Sequence, residues 1–443
     1  MVRAQVGVLI AFRATGASVT WYRRGMGRGL LRPALVLVLV GGFAASGTVQ
    51  AMAGSPSVRA LAAGSPDAAT AGQSKALGIP DAAVANGQVA SVSCPSRDSC
   101  TAVGSYPTAT GGGGMFASVW NGTRWTARPV PNPRGAVFTD LSAVSCPTRD
   151  ACTAVGDYRT KSGVRLLAEV WNGTRWSFQP ISNPPGSEKS VLQAVSCPTR
   201  TICTAIGTDL TMTGGFAMFA ERWNGTQWTR QPVPSPSGTT APELHAVSCP
   251  TRTACTAVGE YSGASGPVML AEAWNGTRWR RQPIPIPPGA TASSLVSVSC
   301  PSRSACTAVG MDNTKSGSTT TLVQAWNGKR WNRQPSPNQP GTTDSFLLAV
   351  SCPSRTACMA VGAHATASHS IAPLAVSWNG TRWVRRSTPN LSGTSGGELN
   401  RLACPSRKAC IAVGLYFDKS TGIGATLAEA WNGRRWVRQL THP

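Results

Sequence analysis

The feature that most limits what this chain can fold into is a Cys-x5-Cys pair written seven times. The pairs are Cys94/Cys100, Cys146/Cys152, Cys197/Cys203, Cys249/Cys255, Cys300/Cys306, Cys352/Cys358 and Cys404/Cys410. Successive first cysteines lie 52, 51, 52, 51, 52 and 52 residues apart, and the pairs use all 14 cysteines of the 443-residue chain. A fixed period near fifty residues belongs to solenoids, propellers or arrays.

The second period shows what one repeat builds. Residues 141–146 are a short β-prone run, 147–151 a turn and 152–156 a second run. A polar loop follows to Gly163, then a third run over 166–171, Asn172-Gly173, a fourth run over 175–180 and a Pro-rich link over 181–186. Asn-Gly suits a two-residue hairpin turn with φ > 0 at both positions. That register sets Trp171 opposite Thr174 and Glu169 opposite Trp176, so the two indoles are diagonal neighbours on one face. No helix start or stop pattern occurs in any repeat. Four short strands in sequence per repeat make a propeller blade. The expected fold is all-β: a seven-bladed β-propeller over 87–443, with four antiparallel strands and one intra-hairpin disulfide per blade. Gly and Pro, 47 and 33 residues, suit such a turn-rich chain. The first repeat starts at its first strand and the last ends at its fourth. Packing between the first and last blades is one means of closing the ring.

Ahead of the repeats, residues 1–53 hold six Arg and no acid, with an apolar run over 33–45 and the small-x-small pattern Ala51-Met52-Ala53. This is the layout of a signal peptide, with Met26 as an alternative start and an uncleaved membrane anchor as the plainer alternative. Residues 54–86, rich in Ala, Gly, Ser and Pro, read as a flexible tether. An even Cys count at regular spacing together with an export signal favours disulfides; zinc sites use closer spacings and accompanying His. The expected location is secreted, extracellular or envelope-associated.

The motif Trp-Asn-Gly-x-x-Trp resembles the Asp-box blade of bacterial-neuraminidase-repeat propellers, and Ala-Val-Ser-Cys…Ala-Val-Gly is similar to the inner hairpin of photosystem-assembly-factor-like propellers. The resemblance covers about 88–443 and departs where the Asp and Ser of an Asp box are absent. It implies the fold and little about activity.

Arginine marks one end of every blade. Arg97, Arg149, Arg200, Arg252, Arg303, Arg355 and Arg407 lie in the first-hairpin turns, and Arg124, Arg175, Arg278, Arg330, Arg382 and Arg435 follow the Asn-Gly turns, with Gln227 in the third blade. First and third turns share one end of a four-stranded sheet, so one face should carry two concentric Arg rings that attract anions. The plainer reading has each Arg capping its turn or stacking on Trp. The opposite face is where the repeats diverge. It supplies the ligand-binding candidates Tyr106, Asp157, Tyr158, Asp209, Glu260, Tyr261, Asp312, His364, Tyr416 and Asp418, a Tyr/Asp set suited to sugars; unconstrained surface loops are the alternative.

The expected function is a non-catalytic propeller binding a glycan, a cell-wall polymer or a protein partner. The alternatives are a sialidase-like glycoside hydrolase and a purely structural scaffold with a basic face. Against the hydrolase, no Tyr is singular among the blades, no Arg-Ile-Pro segment occurs, and His245, His364, His369 and His442 are the only histidines. No nucleophile elbow appears. No catalytic residue, metal or cofactor is expected. After residue 53 the net charge is about +17, which attracts polyanions. Outside a cell these are wall polymers and acidic glycans rather than nucleic acid. A monomer is expected, touching a membrane only if the N-terminal segment is retained.

Overall fold

The computed structural model describes residues 9–12 and 19–22 and residues 88–439 apart from 109–111, 237–239, 264–265, 367–369, 390 and 421–423. The apolar run of the export segment and the tether lie outside the described residues. Strands Leu9–Phe12 and Val19–Tyr22 pair antiparallel. No helix among the described residues is long and apolar enough to cross a membrane.

The repeats fold into four-stranded antiparallel units spanning 88–128, 138–178, 187–232, 240–281, 290–333, 345–386 and 394–438, here blades 1 to 7. In blade 2 the strands are Phe138–Thr148, Ala151–Thr160, Gly163–Trp171 and Trp176–Phe178. The first two run past the expected bounds. A single parallel bridge, Gly113 to Phe138, also joins blades 1 and 2.

All seven disulfides form as the spacing predicts, within the first hairpin of each blade: Cys94–Cys100, Cys146–Cys152, Cys197–Cys203, Cys249–Cys255, Cys300–Cys306, Cys352–Cys358 and Cys404–Cys410. Their environment differs from that of a surface staple. The second cysteines, Cys100, Cys152, Cys203, Cys255, Cys306, Cys358 and Cys410, are only 0–6% exposed. The first cysteines are buried too, except half-buried Cys94. The cause is position: each second cysteine pairs with the third-strand Trp inside the sheet, as Cys255 does with Trp274 and Cys410 with Trp431.

The glycine that ends each Ala-Val-Gly run is required by a bulge in the first strand. In blade 2 the pairing slips between Leu141 and Ala143, opposite Gly156 and Val155. The slip drives the Asp140 carbonyl towards Gly156, where a Cβ would lie 2.0 Å from that oxygen. The same approach, at 1.9–2.2 Å, recurs at Gly104, Gly207, Gly259, Gly310, Gly362 and Gly414. Glycine is the residue that tolerates such backbone proximity.

Alternation along the strands gives each sheet two different faces. One carries Leu141, Cys152, Ala154, Leu167, Trp171 and Trp176, and it packs on Val103, Met115 and Ala117 of the preceding blade. The other carries Ala143, Val155 and Ala168, and it packs on Leu192, Cys203 and Ala205 of the following blade. Cys249 and Cys255 meet Ile206 and Ala220 of blade 3 in the same way, and Cys404 and Cys410 meet Val361 and Ala375 of blade 6. The disulfides are therefore inter-blade core as well as hairpin staples.

Three polar contacts repeat across the seams. From blade 2 onward the amide of the first cysteine donates to the preceding blade's Ser: Cys146 N to Ser93 Oγ at 3.0 Å, and Cys197, Cys249, Cys300, Cys352 and Cys404 likewise at 2.9 Å. Thr101, Thr153, Thr204, Thr256 and Thr307 touch the next blade's disulfide sulfur. The fourth-strand Trp Nε1 donates to a Gln three residues past the preceding blade's equivalent Trp: Trp228 to Gln179, Trp279 to Gln231, Trp331 to Gln282 and Trp383 to Gln334.

The seventh blade packs on the first. Trp125 Nε1 donates to Gln439 Oε1 at 3.2 Å, and Val89, Cys100, Phe116 and Trp125 share a core with Ile411, Val413 and Ala428. This seam is built differently from the rest. Ala403 stands where the other blades have Ser, Ile411 where most have Thr, and Arg401 Nε donates to the Ala90 carbonyl instead.

Candidate functional site

The turn face is built from two turns per blade that touch. The Gly of each Trp-Asn-Gly turn lies against the first-hairpin turn of its own blade, Gly122 beside Asp98, Gly173 beside Asp150 and Gly328 beside Ser304. The Asn-Gly connection is not the two-residue turn expected from the sequence. Trp171 pairs directly with Trp176, Glu169 pairs with Phe178, and Asn172 N bonds to Arg175 O across a four-residue loop. The cause is the Asn side chain: Asn172 Oδ1 accepts from Thr174 N, Thr174 Oγ1 and Arg175 N at 2.8–3.0 Å. Gly173 takes positive φ and Asn172 does not. The two indoles meet across the hairpin, centroids 5.8 Å apart and planes tilted by 44°. All seven Trp pairs repeat this at 5.7–5.9 Å.

All thirteen ring arginines are exposed. Arg97–Asp98 and Arg149–Asp150, at 3.6 Å, are the ion pairs found within these turns among the described residues. Such exposed pairs contribute little, on the order of 0–1 kcal/mol. Between blades 5 and 6 the face opens into a groove of about 410 Å³. Partly buried Trp326 and Trp378 line it with Asn327, Arg355, Thr356 and Gln334, and Cys306 and Cys358 complete the wall.

On the opposite face, the candidates from the sequence are mostly engaged within their own blades. Tyr158 meets Phe178 edge-on at 6.4 Å; Tyr261 lies under Arg281 and Tyr416 under Arg438, with cation–ring distances of 5.4 and 5.0 Å. Asp312 pairs with Arg333 at 3.1 Å, and Asp209 accepts from Ser190 at 2.7 Å. Burial lowers the His364 pKa, assisted by Arg385. Asp418 accepts from Ser420 N. Tyr106 packs beside the core shared by blades 1 and 7. Tyr158, Tyr261, Asp312 and Tyr416 each reach from the second strand to the fourth strand of their own blade.

Two of these candidates, Asp157 and Glu260, face acids on the first strands that the sequence reading passed over. The bulge register sets Asp140 opposite Asp157 and Glu243 opposite Glu260. Asp140 and Asp157 are 5% and 6% exposed. Burial raises both, and the Asp140 charge helps push Asp157 to about 7. Ser105 of blade 1 and Ser142 bond to the Asp140 carboxylate. Burial likewise pushes Glu398 to about 7. The adjoining cavity, lined by Gln88, Ser105, Asp140, Asn400 and Leu415, holds about 20 Å³. That is room for one water-sized occupant and not for a sugar ring.

A second missed set is Glu169, Glu272 and Glu429, two residues before the third-strand Trp. Each is 0% exposed, and neither carboxylate oxygen has a hydrogen-bond partner. Burial pushes them to about 8, 7 and 8. Their equivalent Glu221 is paired with Arg230 at 2.6 Å. The alternating pattern that places them inside was legible; their burial without partners was not.

No family model matches the chain, and no curated protein matches it. Among solved structures, it is similar to the lectin BP39L from Burkholderia pseudomallei (16% identity, TM-score 0.48, covering 79% of this chain and 99% of that one). It is also similar to a xyloglucanase from Xanthomonas campestris (14%, TM-score 0.47, 80% and 54%) and a Trypanosoma rangeli sialidase (12%, TM-score 0.42, 79% and 70%). The chain thus spans about half the length of the xyloglucanase. Likeness at this level assigns neither family nor activity.

Proposed function

We propose that the chain forms a closed seven-bladed propeller, exported and non-catalytic, that holds an anionic glycan or wall polymer on its turn face. Export is supported by seven disulfides, which persist in oxidising compartments, and by the leader-like residues 1–53. Closure is supported by the Trp125–Gln439 bond across the last seam.

The observation that carries the binding reading is the groove between blades 5 and 6. Its volume of about 410 Å³ suits a sugar unit. Indoles offer flat apolar surface to a sugar's C–H face, and Arg355 offers planar donors to a carboxylate or sulfate. The Arg rings around it raise the local concentration of a polyanion.

The test is binding of the disulfide-formed chain to polygalacturonate, dextran sulfate and neutral dextran at low and high salt. Both acidic polymers should bind and neutral dextran should not. Arg355→Gln should weaken binding about tenfold, the worth of one charge-assisted hydrogen bond of roughly 1.5 kcal/mol. Equal binding of neutral dextran, or no binding to any polymer, sinks the reading. If Arg355→Gln is silent while Tyr158→Phe or Glu260→Gln weakens binding, the site belongs to the loop face.

A further inference from the structure

The groove between blades 5 and 6 has a counterpart between blades 3 and 4 that is filled from within. The repeat places Asn224, Gln231, Arg252, Thr253 and Trp274 where the open groove has Asn327, Gln334, Arg355, Thr356 and Trp378. One wall residue changes from a methyl to a guanidinium. Ala325, just before the third-strand Trp of blade 5, lines the open groove, and Arg222 holds that place in blade 3. Arg222 reaches across the seam: its guanidinium lies over the Trp274 ring at 5.7 Å, and Nη2 donates to the Arg252 carbonyl. Both partners belong to blade 4, as Trp378 and Arg355 belong to blade 6.

The seam between blades 6 and 7 is closed by the same group from a different strand. Arg386 of the fourth strand lies over the Trp431 ring at 5.7 Å, and its Nε donates to Ser377, which stands in blade 6 where Ala325 stands in blade 5. Exposure of the indoles follows. Trp274 and Trp431, each under a guanidinium, are 8% and 6% exposed. Trp326, Trp378 and Trp120, each following a blade with alanine at this position (Ala273, Ala325 and Ala430), are partly buried. Valine at the two remaining seams gives one of each: Trp171 is buried after Val119, and Trp223 is partly buried after Val170. A methyl is too short to cover an indole across a seam, whereas an arginine stem spans it and stacks its charge on the ring.

We propose that the residue before the third-strand Trp decides which seams admit ligand. Alanine leaves the indole open to a sugar, and an arginine of the chain itself takes the sugar's place between blades 3 and 4 and between blades 6 and 7. This rests on the turn-face reading and adds to it where on that face the polymer is held. Arg222 is then a plug and not a contact for the polyanion, although its charge alone would make it one. The plug is imperfectly held, since Arg222 Nη1 is buried with no partner among the described residues. Arg222→Ala thus removes an unsatisfied donor and leaves the Trp279–Gln231 bond of that seam in place.

The experiment counts sites by titration calorimetry with trigalacturonate on the full disulfide-formed chain, comparing wild type with Arg222→Ala and Ala325→Arg. Arg222→Ala should bind one more trisaccharide per chain, and Ala325→Arg one fewer. Charge pulls both variants the other way, because losing a cation weakens attraction of an acidic ligand and adding one strengthens it. A purely electrostatic response therefore has the wrong sign. Melting temperatures check that both variants fold, and Arg222→Ala decides the matter by itself if Ala325→Arg does not. A wild type that binds while Arg222→Ala gains no site, or while a folded Ala325→Arg keeps every site, overturns the plug and leaves the turn-face reading standing. A wild type that binds no trisaccharide overturns both.

Discussion

Replacing Arg128 by Gln should stabilise the protein. Five seams bury a Trp Nε1 that donates to Gln, at 2.9–3.2 Å. In the other two, the Gln position is Arg128 or Arg386, and the facing Trp176 and Trp436 Nε1 groups have no partner. Arg386 is itself occupied, over the Trp431 ring at 5.7 Å and donating to Ser377. Arg128 is exposed, which makes it the cleaner site. A buried N–H left unpaired costs about 1–3 kcal/mol, so Arg128→Gln should gain roughly 1–2 kcal/mol after the cost of ordering the new side chain. Unfolding entropy near 2.1 cal/mol/K per residue over about 350 residues converts this to a rise of about 1.5–3 °C. Calorimetry of wild type, Arg128→Gln, Trp176→Phe and the double variant measures it as a cycle. The gain should vanish in the Phe background, which has no N–H. A gain of equal size there, or the same gain from Arg128→Ala, refutes the hydrogen-bond reasoning.

Further outcomes follow from the same geometry. Glu169, Glu272 and Glu429 are pushed from 4.5 to about 8, 7 and 8, so folding favours their protonated forms. They cost nothing below pH 4.5, cost progressively more as pH rises through the interval up to those values, and reach their full cost above it; Glu429→Gln should flatten that part of a denaturation-versus-pH profile, and an unchanged profile contradicts the assignment. Gly156→Ala should lower stability by several kcal/mol, because its Cβ would meet a carbonyl at 2.0 Å, whereas Gly163→Ala, with open space around the added methyl, should cost only the strain of its positive φ. Cys300→Ala with Cys306→Ala should cost about 2 kcal/mol from loop entropy, with a further cavity cost because the sulfurs are inter-blade core, read as a lower denaturant midpoint.

The periodicity of Cys, Trp and Asn-Gly was enough to place the four-stranded units, the disulfides and the arginine-bearing turns, since each depends on local pattern and on which end of a sheet a turn occupies. That the disulfides are also seam core is not legible in the Cys-x5-Cys spacing, because burial of Cys255 or Cys410 depends on the neighbouring blade. The Trp register differs from expectation because the choice between two-residue and four-residue turns rests on the Asn172 side chain, and Asn-Gly suits both. The pairing of acids escapes the sequence for a different reason. Asp140 and Asp157 are seventeen residues apart and meet only through the bulge that shifts pairing at Ser142. Gly156 signals that bulge in the sequence, but its meaning depends on a carbonyl of the neighbouring strand. Asn400, Arg401 and Ala403 break the repeat at three positions of one strand. Such clustered departures in a terminal repeat mark the seam where first and last blades meet.

Whether a polyanion is held on the turn face is tested most directly by hydrogen–deuterium exchange with and without bound polygalacturonate. New protection is expected in the turns around 301–306, 326–331 and 352–358, with the connections around 314–319 and 365–371 unchanged. Protection confined to those loop-face connections would contradict turn-face binding.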